Sequence, residues 1–138
     1  MAKRYNLFIS HSWTYSDAYD KMIALLKKDP AFHYHNFSVP KDDPVHDAKN
    51  DKELYEAIKA QIRPSSVVLI LAGVYSTYSK WINNEILICQ TEFTIEKPIV
   101  AIQPWGSEKT STIVKNAADK LVKWQSKSII DAIKELCD

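Results

Sequence analysis

The sequence predicts an α/β fold: a three-layer sandwich around a five-stranded parallel sheet in the order 2-1-3-4-5, the flavodoxin-like arrangement. Three observations predict it. Continuous apolar runs alternate with stretches of helical periodicity along the 138 residues, the pattern of a parallel sheet with helices on both faces. "SVVLILA" at 66–72 is an uninterrupted apolar and β-branched run, as in a strand buried on both sides. Crossovers between parallel strands are right-handed, and five such strands close most simply in this order.

Each element has its own signal in the sequence. "YNLFIS" (5–10) reads as the first strand. Ser16 is placed to cap a helix in which Tyr19, Met22, Ile23 and Leu26 keep helical spacing until Pro30. "HYHNFSV" (33–39) is a second strand, rich in aromatics. The polar stretch "PKDDPVHDAKND" leads into a helix carrying Leu54, Ile58 and Ile62 and closed by Pro64. After the third strand, a helix from about Ser79 to Thr94 places Ile82, Ile86, Cys89 and Phe93 on one apolar stripe. "PIVAIQ" (98–103) is the fourth strand; a loop and a short helix follow, then "KLVKW" (120–124). The last helix, 128–137, opens with Ser128 and Asp131 at capping-box spacing and carries Ile129, Ile130, Ile133 and Leu136. With no repeat, linker or low-complexity segment, residues 1–138 read as one domain.

Composition removes several classes of function. Eighteen basic residues balance seventeen acidic ones, so no global field draws in nucleic acid or an anionic membrane. No apolar run approaches the roughly 20 residues that span a bilayer. The amino terminus "MAKRYNLFIS" lacks the apolar region and cleavage site of a signal peptide. Cys89 and Cys137 have no CxxC spacing, which argues against a disulfide framework or zinc site and fits a reducing cytoplasm. Gly73 and Gly106 are the only glycines, so the glycine-rich phosphate loops of P-loop and Rossmann proteins are absent.

In an open parallel sheet, ligands bind beyond the carboxyl ends of the strands, near the switch in strand order. The loops there hold Ser10, His11, Ser12 and Trp13 on one side, and Tyr75, Tyr78 and Trp81 on the other. Aromatic rings beside small hydroxyls suit a flat base with a ribose; equally, Trp13 and Trp81 are placed to pack over the edge of the core. A phosphoacceptor receiver needs acidic residues after strand 1 and an aspartate after strand 3. "ISHSW" and "LAGVY" supply neither. A flavin-phosphate loop in "SHSWTYS" lacks glycine and meets the bulk of Trp13. The remaining reading uses a carboxylate early in the helix after strand 3, and Glu85 stands there.

Two segments carry a resemblance. "YNLFISHS" resembles the first box of Toll/interleukin-1 receptor (TIR) domains. "YSTYSKWINNEI" is similar to the TIR segment S-x-W-x-x-x-E, whose glutamate is catalytic in members that cleave NAD⁺. "NFSVPKDDP", "KPIVAIQPWGSE" and "ADKLVKW" extend the likeness, over nearly the whole chain, to the bacterial TIR-like subfamily that includes Thoeris antiphage sensors. The chain departs from animal and plant TIR domains in carrying "VPKDDPVHD" in place of their R-D-x-x-P-G loop, and in lacking their late F-W box.

The resemblance implies that Glu85 is catalytic, with Ser10, His11, Trp13 and Trp81 lining the pocket and Asn36 and Ser38 at the end of strand 2. It implies an NAD⁺ glycohydrolase or cyclase that takes NAD⁺ as substrate, with no metal and no further cofactor. The product, an ADP-ribose derivative expected to be cyclic, would be read by a separate effector protein, and the enzyme would self-assemble on activation. The alternative is a non-catalytic TIR-like module that binds a nucleotide or a protein.

For Glu85 the plain alternative is a solvated helix residue lying off the Ile82–Ile86–Cys89 stripe. His33 and His35 share one face of strand 2, where packing or solvation competes with metal binding; His46 follows in a loop with Asp42, Asp43, Asp47 and Asp51. That acidic loop favours the following helix N-terminus, or closes as a lid.

Overall fold

A computed structural model describes residues 4–10, 16–37, 51–71, 80–103 and 112–137. Strands and helices alternate: β1 (Arg4–Ile9), α1 (Ser16–Lys27), β2 (His33–Asn36), α2 (Asp51–Ile62), β3 (Val67–Leu71), α3 (Lys80–Thr91), β4 (Ile99–Ile102), α4 (Thr112–Ala117), β5 (Lys120–Val122) and α5 (Ser126–Cys137). The five strands form one sheet in the order β2-β1-β3-β4-β5, parallel throughout. The α/β flavodoxin-like expectation holds in both class and order.

Side chains that alternate along each strand build two cores. Tyr5, Leu7 and Ile9 of β1, Val67 and Leu69 of β3, and Val100 and Ile102 of β4 meet Met22, Leu25 and Leu26 of α1 and Ile129, Ile130, Ala132 and Ile133 of α5. On the other face Phe8, Val68, Ile70, Ile99 and Ala101 meet Ile58 and Ile62 of α2, Ile86, Ile88 and Cys89 of α3, and Val114 of α4. Both faces of β3, β4 and the second half of β1 are thus covered by helices, which is why Val67–Leu71, Ile99–Ile102 and Leu7–Ile9 are continuously apolar.

Polar contacts fix the helices around this sheet. Tyr55 Oη donates to Glu92 Oε2 at 3.0 Å, and Lys59 Nζ lies 3.2 Å from Glu92 Oε1, tying α2 to the segment just past α3. Lys97 Nζ donates to the carbonyls of Arg63 at 3.0 Å and Ser65 at 2.8 Å, beyond the C-terminus of α2, where a cation meets the negative end of the helix dipole. Ser126 Oγ donates to the Leu25 carbonyl at 2.7 Å, joining the start of α5 to the last turn of α1.

The boundaries differ from the sequence expectation in places. β2 and β5 are shorter, and Phe37 hydrogen-bonds to Leu7 at 2.8 Å just past the end of β2. α3 stops at Thr91 rather than Thr94, because the chain turns back to begin β4; the Lys97 amide closes that turn onto the Cys89 carbonyl at 3.0 Å. α5 begins two residues early. The Ile129 amide bonds the Gln125 carbonyl at 3.1 Å, so Ser128 lies inside the first turn, and its hydroxyl meets the Gln125 side chain at 3.4 Å. The Ser128–Asp131 capping box is therefore not the start of this helix. No helix among the described residues is long and apolar enough to cross a membrane.

Candidate active site

The carboxyl edge of the sheet is built around β1 and β3. Their register pairs Phe8 with Val68 and Ile9 with Leu69, and the Ser10 amide continues the ladder onto the Leu69 carbonyl at 2.8 Å. Alternation from Phe8 puts the Ser10 side chain on the face that α2 and α3 cover. Its hydroxyl is buried and has no hydrogen-bond partner among the described residues, an uncommon state for a native hydroxyl.

α3 brings Glu85 to the same face. The expectation of an exposed or offset helix residue is overturned: Glu85 is 0% exposed. It lies one turn before Cys89, also fully buried, with Ile86 and Ile88 between them in the core. The apolar stripe runs through Ile88 as well as Ile86 and Cys89, so the buried side of α3 is rotated toward Glu85 relative to the sequence reading. Among the described residues Glu85 is the one charged side chain buried in this way. A carboxylate withdrawn from water costs several kcal/mol by order of magnitude, so its retention inside an apolar layer marks a functional candidate rather than a packing choice.

The charge of Glu85 is felt at Cys89. Burial first, and the Glu85 carboxylate second, push the Cys89 thiol up to about 12, with Lys97 acting the other way. Cys89 is thus a neutral neighbour of Glu85 across the physiological range, and an unreactive one.

The other expected site residues divide. Trp81 stands in the first turn of α3, one helical turn before Glu85; its side chain lies outside the described residues, as do His11, Trp13 and Ser38. Tyr75, Tyr78, His46 and the loop aspartates Asp42, Asp43 and Asp47 are outside them too. Asn36 ends β2 and is exposed. Its register partner is Leu7, which puts it on the α1–α5 face, opposite Ser10. The structure brings Ser10 and Glu85 to one face of the sheet and leaves Asn36 on the other. His33 and His35 are exposed on the same edge strand, and Arg4 Nη1 donates to His35 Nε2 at 3.3 Å. Among the described residues no group of three or more His, Cys, Asp or Glu is arranged to hold a metal ion.

Sequence reasoning missed the anchors that set the pose of α3: Tyr55, Lys59, Glu92 and Lys97. The i, i+4 spacing of Tyr55 and Lys59 was a visible signal, but their shared partner is 33 or more residues away and came from no local pattern.

A sequence model of the family described as the Thoeris protein ThsB, TIR-like domain, matches residues 8–109, well over half of the chain. The chain belongs to that family. The match takes in the end of β1, all of β2 to β4, and both Ser10 and Glu85, and ends before α4, so the sheet is completed by elements beyond the matched stretch. No curated protein matches the chain.

Proposed function

We propose that this TIR-like domain cleaves NAD⁺ at the bond between nicotinamide and ribose, with Glu85 as its catalytic carboxylate, and releases an ADP-ribose derivative as a signal in antiphage defence. The observation that carries the reading is the complete burial of Glu85 in α3, on the face of the sheet that also receives the Ser10 hydroxyl. In this reaction the C1′–N bond breaks and its electron pair leaves with neutral nicotinamide. The ribosyl centre is left oxocarbenium-like, and a nearby carboxylate in a low-dielectric layer stabilises that charge. Ser10 is suited to hold a ribose or phosphate oxygen, with Trp81 and Trp13 as walls. If water then attacks C1′ and loses a proton, ADP-ribose forms; attack by a hydroxyl or ring nitrogen of the same molecule gives a cyclic isomer. A pocket that excludes water favours the cyclic product. Asn36, on the opposite face, would touch only parts of the substrate that reach over the edge of the sheet. The chemistry uses NAD⁺ as substrate and no metal ligand, and the signal would act in the cytoplasm on a separate effector protein.

The same burial supports a second reading. A carboxylate closed off from solvent meets substrate only in a conformation that uncovers it, and a module that never adopts one works by binding or assembly alone. The deciding experiment incubates purified protein with NAD⁺, dilute and concentrated, and separates the products by chromatography and mass. Free nicotinamide, with a cyclic ADP-ribose isomer, is expected. Plain ADP-ribose as sole product removes the cyclase part. No nicotinamide under any activating condition leaves the binding module.

A further inference from the structure

α3 returns the chain from the carboxyl edge of the sheet, where β3 ends, to the amino edge, where β4 begins. The contacts past its last turn favour its seat on α2. Glu92 takes a hydrogen bond from Tyr55 and an ion pair from Lys59, and Lys97 reaches the carbonyls of Arg63 and Ser65 just beyond α2. The Lys97 amide holds the Cys89 carbonyl in the same turn at 3.0 Å. Its ammonium lies 5.0 Å from the centre of the Phe93 ring, a further attraction. The middle of the helix is different. Glu85 is fully buried against a layer built from Ile58 and Ile62 of α2, Val68 and Ile70 of β3, and Ile86 and Ile88 of α3. Withdrawing a carboxylate from water costs more than the burial of one aliphatic neighbour such as Ile86 returns. The Ser10 hydroxyl on the same face of the sheet is buried with no hydrogen-bond partner among the described residues, so it too gains by meeting water. Closure is thus weakest around Glu85 and strongest from Glu92 to Lys97. Between them the exposed Thr91 hydroxyl donates to the Leu87 carbonyl at 2.7 Å, a back-bond of the kind that bends helices.

We infer that α3 is a gate: the turn that carries Glu85 lifts from the sheet by local opening, while the end from Glu92 to Lys97 stays pinned to α2 as the pivot. Closed, the gate seals the carboxylate. Open, it presents Glu85 and the Ser10 hydroxyl to water or to a ligand arriving at the carboxyl edge of the sheet. Segments that admit ligands belong to the least stable parts of a fold, and a few residues at the end of an element absorb such a movement. The pinned end confines the motion to the part of the helix that bears the site, so the sheet and α2 keep their packing. The charge of Glu85 itself supplies the drive to open. The gate rests on the burial of that carboxylate and not on NAD⁺ cleavage, so either can fail without the other.

Cys89 is a built-in reporter. Its thiol is fully buried one turn past Glu85, and helical side chains lean toward the N-terminus of their helix, so the turn that lifts is the one that shields it. The experiment follows modification of Cys89 by a small methanethiosulfonate reagent, without NAD⁺, in a Cys137→Ser background and over a range of low denaturant concentrations. It is run at about pH 8, where an uncovered thiol ionises appreciably. Local opening labels Cys89 faster than global unfolding allows, at a rate nearly flat in denaturant, because little surface is exposed. Glu85→Gln removes the charge that drives opening and slows labelling by about tenfold or more. Glu85→Leu, which also adds apolar contact, slows it at least as much, and Glu92→Gln, which loosens the pivot, speeds it. Labelling that follows global unfolding with its full denaturant dependence, or a rate unchanged in both Glu85 variants, overturns the gate.

Discussion

Glu85 and Cys89 occupy one face of α3 a single turn apart, yet the predictions for them point in different directions. Glu85→Gln keeps the shape of the side chain and removes a buried charge. It is expected to abolish nicotinamide release while the melting temperature stays at or above that of the wild type, because withdrawing a carboxylate from water costs stability. A loss of more than about 2 kcal/mol measured by chemical denaturation would make the carboxylate part of the core's polar structure instead. For Cys89 the sign follows from a raised value. The unfolded thiol ionises near 9.0, the folded one near 12. Below pH 9 both states are neutral, and the thiol's contribution is fully present. Above it only the unfolded chain gains a charge, so stability falls, at up to about 1.4 kcal/mol per pH unit, until the folded thiol ionises. The gap in stability between the wild type and Cys89→Ala should therefore narrow from pH 9 to 11 in denaturant titrations; a constant gap would show that the thiol is not shielded. Glu85 was legible in the sequence as a motif position but its burial was not. Helical spacing reports which residues share a face, whereas the rotation of that face toward the core is set by partners on α2.

At the level of elements, the seating of α3 against α2 rests on the Tyr55–Glu92–Lys59 cluster. Hydrogen bonds from Lys59 first and Tyr55 second hold the Glu92 carboxyl below its ordinary value of 4.5. A lowered carboxyl contributes stability that is present above that ordinary value and lost as pH falls through the folded one. Glu92→Gln should therefore melt below the wild type at neutral pH, and the two melting curves should converge in acid. Persistence of the full difference at pH 3 would assign the effect to packing rather than charge. The strands and helices themselves were readable because their signals are local. A β-branched run such as Val67–Leu71 has few other ways to fold, and Pro30 and Pro64 mark where helices have already ended. The ends of α3 and α5 were misread because a hydrogen bond outside the regular helical pattern accompanies each of them, across a turn for α3 and across the fold for α5. The Lys97 amide turns the chain after α3, and the Ser126 hydroxyl draws the first turn of α5 onto α1. A capping box at Ser128 and Asp131 is a plausible local pattern that loses to that tertiary contact.

For the molecule as a whole, the proposed reaction places no metal in the mechanism, so nicotinamide release measured with and without EDTA should agree; loss under chelation, restored by zinc or magnesium, would direct attention to the exposed His33 and His35. The sheet order was inferable from alternation and handedness alone, since these leave few closures for five parallel strands. The bond between Ser126 and Leu25 carries a different consequence, for the time at which the protein becomes a protein. It joins residues 101 positions apart, and the layer that α5 completes includes Leu7, Leu26 and Leu69 from much earlier in the chain. During synthesis, at about 5–20 residues per second, the first four strands emerge while one side of the sheet still lacks α5. Until α5 has emerged, the apolar residues of that layer lack the helix that covers them. The hazards are aggregation and chaperone capture, and folding is slowed by a closure between segments far apart in sequence.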